Sequence, residues 1–396
     1  MKIKMIDLAL EKPELCCGCS ACASVCPKNA ITMKVSDNGF KYPIIDSEKC
    51  VECELCLKTC DFKNFKPTGK KPQAYAARHK DTEELATSRS GGFFMAVCQY
   101  VIENNGVVFG SRLDENMKCV HAFAETYEDC KKFKGSKYVQ SDMGDMFIHC
   151  EQFLKNGRMV CFSGTGCQVH GLLSYLKTKK VSTEKLITID IVCHGVPSPG
   201  VWNNYIEVFQ YKTQKNITAV DFRDKGYSGW AAHVEKYSLD DLTEIHSTQW
   251  TTCFYRHILF RESCFNCKYT TTERNSDFTI ADYWGIEKNA PEFDDNKGCS
   301  LVMIHSEKGK TVFNIINKYL NYKETKLESS MQPQMTRPIW RGWDYGYFWK
   351  KYKKNPQKAV KKYFFPSKPL KLFWKLEGSG KKVLKAVLKK TKKRKS

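Results

Sequence analysis

Residues 16–27, CCGCSACASVCP, and residues 50–60, CVECELCLKTC, carry one cysteine spacing twice: Cys16, Cys19, Cys22, Cys26, then Cys50, Cys53, Cys56, Cys60. The pattern C-x2-C-x2-C-x3-C wraps three thiolates around one iron–sulfur cube, and the fourth cysteine of each run reaches across to the other cube. Cys16, Cys19, Cys22 and Cys60 are therefore assigned to one 4Fe–4S cluster, and Cys50, Cys53, Cys56 and Cys26 to a second. Zinc is the alternative metal, but a zinc site wants four ligands rather than four tightly spaced thiolates twice over. The spacing predicts a protein that moves electrons.

The interval between the runs suits a small ferredoxin module with internal two-fold repetition. Ala30–Val35 and Phe40–Asp46 read as short strands joined by a turn at Asp37-Asn38-Gly39. So few residues bury little surface, so the clusters are expected to hold the module together. Cys17 falls outside the ligand pattern and reads as a bystander. Asp61 follows the last cysteine where a proline is usual.

The chain has 396 residues, enough for two or three domains, and a formal net charge of +21. That charge is concentrated at the C-terminus. From Lys350 onward nineteen Lys and Arg stand against one acid, Glu377, and what precedes is nearly neutral. No signal-peptide pattern precedes the first cysteine run, and no apolar run approaches the length of a membrane span. Twenty cysteines with cluster spacing point to a reducing cytoplasm rather than to disulfides.

A Lys/Pro-rich linker, Phe65 to Pro72, leads into alternating strand-like and helix-like segments that predict an α/β body. Phe93–Ile102, Met143–Leu154 and Val201–Phe209 read as helices. Gly106–Leu113, Lys118–Glu125, Arg158–Ser163 and Leu186–Cys193 read as strands, and a strand–helix pair runs from Ser300 to Leu320. Cys167 and Cys193 stand at strand ends, where open α/β sheets bind ligands, and Cys264 with Cys267 forms a C-x-x-C. Together they would make a third cluster. The plain alternative is that each lone cysteine is a small buried hydrophobe and the C-x-x-C binds zinc or nothing. Cys98, Cys119, Cys130, Cys150, Cys161, Cys253 and Cys299 have no partner spacing and read as packing residues. Gly164-Thr165-Gly166 follows a strand, but Val169 leaves the dinucleotide fingerprint incomplete.

Six ordered motifs resemble the coenzyme F420 hydrogenase/dehydrogenase beta-subunit family: SRSGGFF (88–94), GSKYVQSD (135–142), FSGTGCQVHGL (162–172), DIVCHGVPSP (190–199), FRDKGYSGW (222–230), and CFNCKY with SDFTIADYWG (264–285). The resemblance covers about residues 1 to 320. It departs at Gly166, where the family has Pro, and at Ala281, where it has Gly. It implies FAD beside a 4Fe–4S cluster on Cys167, Cys193, Cys264 and Cys267. It also implies phosphate or cofactor contacts at Ser88, Ser90, Gly91, Gly92, Lys137 and Thr165, and catalytic roles for His194, Lys137 and Asp282. Arg223, Asp224 and Asp282 would orient substrate or form internal ion pairs. Coenzyme F420 is a candidate where the host makes it, and the bacterial branch of the family stands beside polysaccharide synthesis.

The expected architecture is an α+β ferredoxin-like module (1–66), a linker (67–73), family N-terminal and C-terminal domains (74–155, 156–345) forming the α/β body, and a basic tail (346–396), helical or disordered. The expected activity is that of an iron–sulfur flavoprotein oxidoreductase. It would exchange electrons with ferredoxin or with a reduced nicotinamide or deazaflavin donor, and act on an organic substrate. The alternatives are a non-catalytic electron-carrier subunit and a tail-driven membrane scaffold. The protein is expected in the cytoplasm, with residues 350–396 suited to the anionic inner face of the membrane and no nucleic acid as partner.

Overall fold

The computed structural model describes residues 12–366. Strand β1 (Ile31–Val35) pairs antiparallel with β2 (Lys41–Ile45), flanked by short helices Ala21–Val25 and Leu55–Thr59. The turn at Asp37-Asn38-Gly39 closes with the Gly39 N–H on the Ser36 carbonyl at 2.8 Å. A β-carbon on Gly39 would lie 2.5 Å from the Cα of Gly200, so two glycines let the hairpin touch the body. The two-fold repetition is written in the backbone. Gly18 and Ser20 after Cys16, and Glu52 and Glu54 after Cys50, are all left-handed, with φ of 71°, 68°, 56° and 57°. Each pair curls the loop around its cysteines and launches one of the short helices.

The body is built on one mixed eight-stranded sheet. Its strands are β3 (Gln73–His79), β4 (Val107–Leu113), β5 (Cys119–Ala124), β6 (Val160–Thr165), β7 (Leu186–Ile191), and later β11 (Phe278–Asp282), β12 (Ser300–Ile304) and β13 (Leu320–Thr325). The spatial order is β13-β3-β12-β11-β7-β6-β4-β5. The four central strands β4, β6, β7 and β11 are parallel and the flanks antiparallel. The sheet crosses the boundary expected at residue 155, because β4 from one side lies beside β6 from the other. Between β7 and β11, strands β8 (Ile217–Asp221), β9 (Glu235–Leu239) and β10 (Glu244–Ser247) make a separate antiparallel sheet, with a turn at Asp240-Asp241 joining the last two.

Alternation along the central strands feeds two apolar layers. Val108, Cys161 and Ile187 face helices Phe93–Glu103 and Glu307–Ile316, while Val107, Phe109, Val160 and Phe162 face Met146–Lys155 and Gly166–Thr178. All seven cysteines read as packing residues are buried. Predicted elements shift by a few residues at their ends. Helix Met146–Lys155 begins three residues late, after the left-handed Gly144, and helix Pro199–Thr213 runs past the expected Phe209 to a left-handed cap at Gln214.

The expected tail begins too early. Tyr345–Lys354 and Pro356–Phe364 are helices packed on the body. Tyr345, Phe348, Trp349 and Tyr352 recur at helical spacing, and with Val360, Tyr363 and Phe364 they join the core around Trp202 and Trp250. Each such side chain contributes about 1.5–3 kcal/mol of burial. Asn355 caps the second helix, its side chain accepting the Lys358 N–H at 2.9 Å, with Pro356 at the first position. The lysines that dominate the composition lie between these apolar positions. The rest of the expected tail, residues 367–396, lies outside the described residues.

Candidate functional site

The N-terminal cysteines act on one another's ionisation within and across the two runs. Cys22 is raised well above the usual thiol range by burial and then by Cys19, Cys16 and Cys60. Burial and the same two neighbours, Cys19 and Cys16, push Cys60 up to about 11. Cys56 is raised by burial, with Cys53 and Cys26 adding. Cys60 thus lies near Cys16 and Cys19, Cys26 lies near Cys56, and Cys56 also acts on Cys22. Backbone N–H groups of Gly18 and Ala30 point at the sulfurs of Cys16 and Cys26, at 3.4 and 3.3 Å. Buried thiols that oppose one another's ionisation are the donor set that cationic irons relieve, so the residues fit the clusters.

Four cysteines remote in sequence are brought together in the body. Cys167 lies in the first turn of helix Gly166–Thr178, Cys193 just beyond β7, and Cys264 and Cys267 at a 3-10 turn, Glu262–Asn266. All four line one cavity of about 40 Å³. Burial pushes Cys193 up to about 12 and Cys267 to about 11. Cys167 is brought down to about 7, first by a hydrogen bond with Cys17, with Thr165 Oγ1 3.2 Å away also helping. Arg261 and Arg274 stand at the same wall. Among the described residues no three His, Cys, Asp or Glu side chains close on a single-ion site. The four thiolates of a cubane each take a separate iron and stand farther apart than that. Cys17, expected as a bystander, is buried and lines this cavity too.

A second cavity, of about 730 Å³, opens at the C-terminal ends of β6, β7 and β11, the edge where parallel sheets bind ligands. Ser88, Ser90, Gly92, Lys137, Thr165, His194 and Asp282 all line it, as the motifs predicted. The buried Ser88 Oγ has no hydrogen-bond partner. Gly92 is left-handed, with φ of 81°, and begins helix Phe93–Glu103 without a side-chain cap, so N–H donors are free there. Gly91 is a correction. It is no part of the wall: a β-carbon on it would meet the Ala77 carbonyl at 2.1 Å, so packing of the sheet demands the glycine. Lys137 is a second correction. Its ammonium donates to the carbonyls of Lys132, Lys134 and Gly135 at 3.1, 2.6 and 3.3 Å, so its three protons brace its own loop. Burial lowers it to about 8.

Asp282 pairs with Arg223 at 2.5 Å, and Arg223 lies over the Trp284 ring. Asp224 turns away to His246, at 2.9 Å. Of the alternatives for these residues, the internal ion pairs are present. His194 stacks on Phe254 and sets Nε2 2.9 Å from Nε2 of His257. His257 Nδ1 is 3.1 Å from the Trp340 carbonyl, which can only accept, so that nitrogen carries the proton. His257 Nε2 then accepts from His194 Nε2–H, and His194 is left with a bare Nδ1. Burial, with His257 and His233 adding, holds His194 down to about 4. Thr165 and Gln168 form a capping box at the start of helix Gly166–Thr178, which explains Gly164-Thr165-Gly166 without a dinucleotide. The sequence reading missed His233, Tyr138, Phe254, Tyr255 and Trp284, which also line the cavity. Tyr138 and Trp284 lie inside two of the quoted motifs; Phe254 and Tyr255 lie in none.

Residues 157–328 match the family model for the C terminus of the coenzyme F420 hydrogenase/dehydrogenase beta subunit, and residues 15–64 match a 4Fe-4S dicluster domain. The chain thus joins a C-terminal domain of that beta-subunit family to an N-terminal dicluster domain. Its dicluster domain is similar to an uncharacterized polyferredoxin-like protein of Methanocaldococcus jannaschii, 47% identical over 55 residues, 12% of this chain and 33% of that protein. An uncharacterized ferredoxin of the same organism is 40% identical over 55 residues, 14% of this chain and 69% of that one. The match thus spans about a third of the first relative. Among solved structures, a chain of the F420-reducing NiFe hydrogenase complex from Methanosarcina barkeri aligns with a TM-score of 0.45 and 16% identity, covering 74% of this chain and 91% of that one. This beta-subunit homologue is an iron–sulfur redox protein. Among the described residues no helix is long and apolar enough to cross a membrane.

Proposed function

We propose that the chain is an iron–sulfur flavoprotein oxidoreductase. In this reading a flavin, FAD by family resemblance, occupies the 730 Å³ cavity, and Cys167, Cys193, Cys264 and Cys267 hold a third 4Fe–4S cluster. A bound flavin supplies the exchange between single electrons and hydride that connects clusters to organic substrates. The observation that carries the reading is a shared wall: Thr165, Cys193, His194, Gly195 and Val196 line both cavities. The larger one has the size of a cofactor pocket. Ser88 Oγ and the uncapped start of helix Phe93–Glu103 supply donors for phosphate. Stacked Tyr138 and Phe254, with ring centroids 4.4 Å apart, supply an apolar ledge. His194, whose Nε2–H is committed to His257, keeps an unprotonated Nδ1 that can accept a hydrogen bond from a bound group.

The electron donor would be ferredoxin, a reduced nicotinamide or a deazaflavin such as coenzyme F420, and the substrate a sugar or glycan precursor if the polysaccharide branch applies. A cytoplasmic location, with the basic residues 350–396 suited to an anionic membrane surface, is the expectation from sequence. Iron, sulfide and flavin content of the anaerobically purified protein tests the proposal. About twelve irons and one flavin per chain are expected. About eight irons and no flavin would favour a non-catalytic electron carrier.

A further inference from the structure

Helices Tyr345–Lys354 and Pro356–Phe364 carry seven lysines and no acid, and every one of these lysines is exposed. Their apolar stripes are spent on the core, yet the chain leading into them leaves rings in water. Trp340 and Trp343 are 63% and 62% exposed and Tyr347 is 48% exposed, whereas Trp202 and Trp250 are fully buried. The loop that carries the two exposed tryptophans is pinned at three points. The Trp340 carbonyl lies 3.1 Å from His257 Nδ1, Arg341 pairs with Glu262 at 2.6 Å, and a β-carbon on Gly342 would meet the Arg256 carbonyl at 2.0 Å. The exposure is therefore built in. Basic groups gather at the same spot. The Arg256 guanidinium lies 5.8 Å from the Trp343 ring centroid, and the Lys351 and Lys362 ammoniums lie 5.3 and 5.1 Å from that of Tyr347. Trp343, Tyr347 and Lys351 recur at four-residue spacing, off the buried stripe of Tyr345, Phe348, Trp349 and Tyr352. None of the exposed rings lines either cavity.

We propose that this face, Trp340, Trp343 and Tyr347 among the lysines of the two helices, docks the protein on an anionic lipid bilayer. Such docking rests on the membrane expectation for residues 350–396 and adds a folded contact that begins before them. Indole and phenol rings settle where acyl chains meet headgroups, with their N–H and O–H turned toward water. Lysines around them are drawn to acidic headgroups, each strengthening attachment about fivefold. The twelve Lys and Arg of residues 367–396, against Glu377 alone, add to the same attraction. A duplex nucleic acid would use the lysines but leave the three rings without an apolar partner. Docking would also set the larger cavity near the bilayer. Trp340 packs edge-on against His257, and His257 holds His194 of the cavity wall at 2.9 Å.

The test uses the full chain, purified anaerobically, with vesicles of phosphatidylcholine alone or mixed equally with phosphatidylglycerol. Brominated acyl chains in the vesicles quench any tryptophan that reaches them. Binding to the mixed vesicles only is expected, with quenching that survives in W374F and is largely lost in W340F/W343F. K351Q/K362Q should weaken binding to the mixed vesicles by about tenfold. Both lysines are exposed, so that pair decides alone if W340F/W343F fails to accumulate. Binding unchanged in the lysine pair would overturn the docking face. Quenching lost in W374F and kept in W340F/W343F would also overturn it, leaving the contact to residues 367–396 and the membrane expectation standing. No binding to the mixed vesicles would fail both together. Duplex DNA bound more tightly than the mixed vesicles, with no quenching by brominated lipid, would make the face a nucleic-acid site and overturn the proposal.

Discussion

The eight cluster cysteines of the N-terminal module lie between residues 16 and 60, whereas the four cysteines proposed to hold a third cluster are drawn from residues 167 to 267. In the module, local spacing and four left-handed residues bring thiols together. In the body, the ends of β6 and β7 and a 3-10 turn do so, and the cysteines come last. The two regions differ in the same way in what holds them. The body buries two continuous apolar layers against its sheet. The module's largest buried side chains, Phe40 and Tyr42, belong to the core around Trp202 and Trp250, which the body builds. A region that borrows its core from its neighbour depends on its metal; a region with its own core does not.

Iron removal should separate the two regions most sharply. Stripping the clusters anaerobically with a chelator is expected to leave residues 73–366 as a protease-resistant fragment, while Lys28, Lys34 and Lys58 in the module become rapid cleavage sites. Limited proteolysis with mass mapping reads this directly. Equal resistance of both regions, or joint collapse, would break the comparison.

The same contrast explains what could be read from sequence. The crossed assignment of Cys60 and Cys26 can be made from sequence because ligand spacing is a local property. Most β-strands were legible because apolar runs mark them. The burial of Cys17 at the wall of the body's smaller cavity was not legible, since nothing local in the sequence marks it. Lys137 and Gly91 were misread because a motif fixes residue type but not which atoms a side chain spends on its own loop or its own sheet. The apolar stripe Tyr345, Phe348, Trp349, Tyr352 was present in the sequence, and the lysines around it masked it.

Arg261 sharpens the comparison at the joint between the regions. It is almost fully buried and donates to the carbonyls of Cys16 and Lys41, at 2.7 and 2.8 Å, and lies over the Tyr42 ring. Gly18 makes room for it: a β-carbon there would come within 2.8 Å of the guanidinium. A lysine cannot reproduce this fork. Arg261→Lys is expected to weaken docking of the module by about 2–3 kcal/mol, through buried acceptors left unpaired. Cleavage in the module should then quicken while the urea midpoint of the body barely moves. A fall in both would mean that the body relies on Arg261 as well.

The smallest effect is one of acidity, and it falls on the body alone, because the first histidine of the chain is His79. His121 is buried between Ser141 Oγ, at 2.8 Å, and the Ser163 carbonyl, at 2.9 Å, and burial, with Lys137 adding, holds it down to about 4. In the unfolded chain it takes a proton near pH 6.5. Between those values the unfolded state binds the extra proton, so stability rises with pH across this window, is fully present above about 6.5, and is lost as pH falls toward 4. At pH 5.5 the loss from His121 is about 1 kcal/mol. His305, also held down to about 4 by burial, acts in the same direction. Tryptophan fluorescence reports the body selectively, since every tryptophan follows residue 200. Urea midpoints at pH 7.5 and 5.5 should differ less in His121→Gln than in the wild type. An unchanged difference would assign the acid sensitivity of the body to other groups. A comparable loss of the module, which has no histidine to protonate, would show that its docking and not its chemistry sets how it responds to acid.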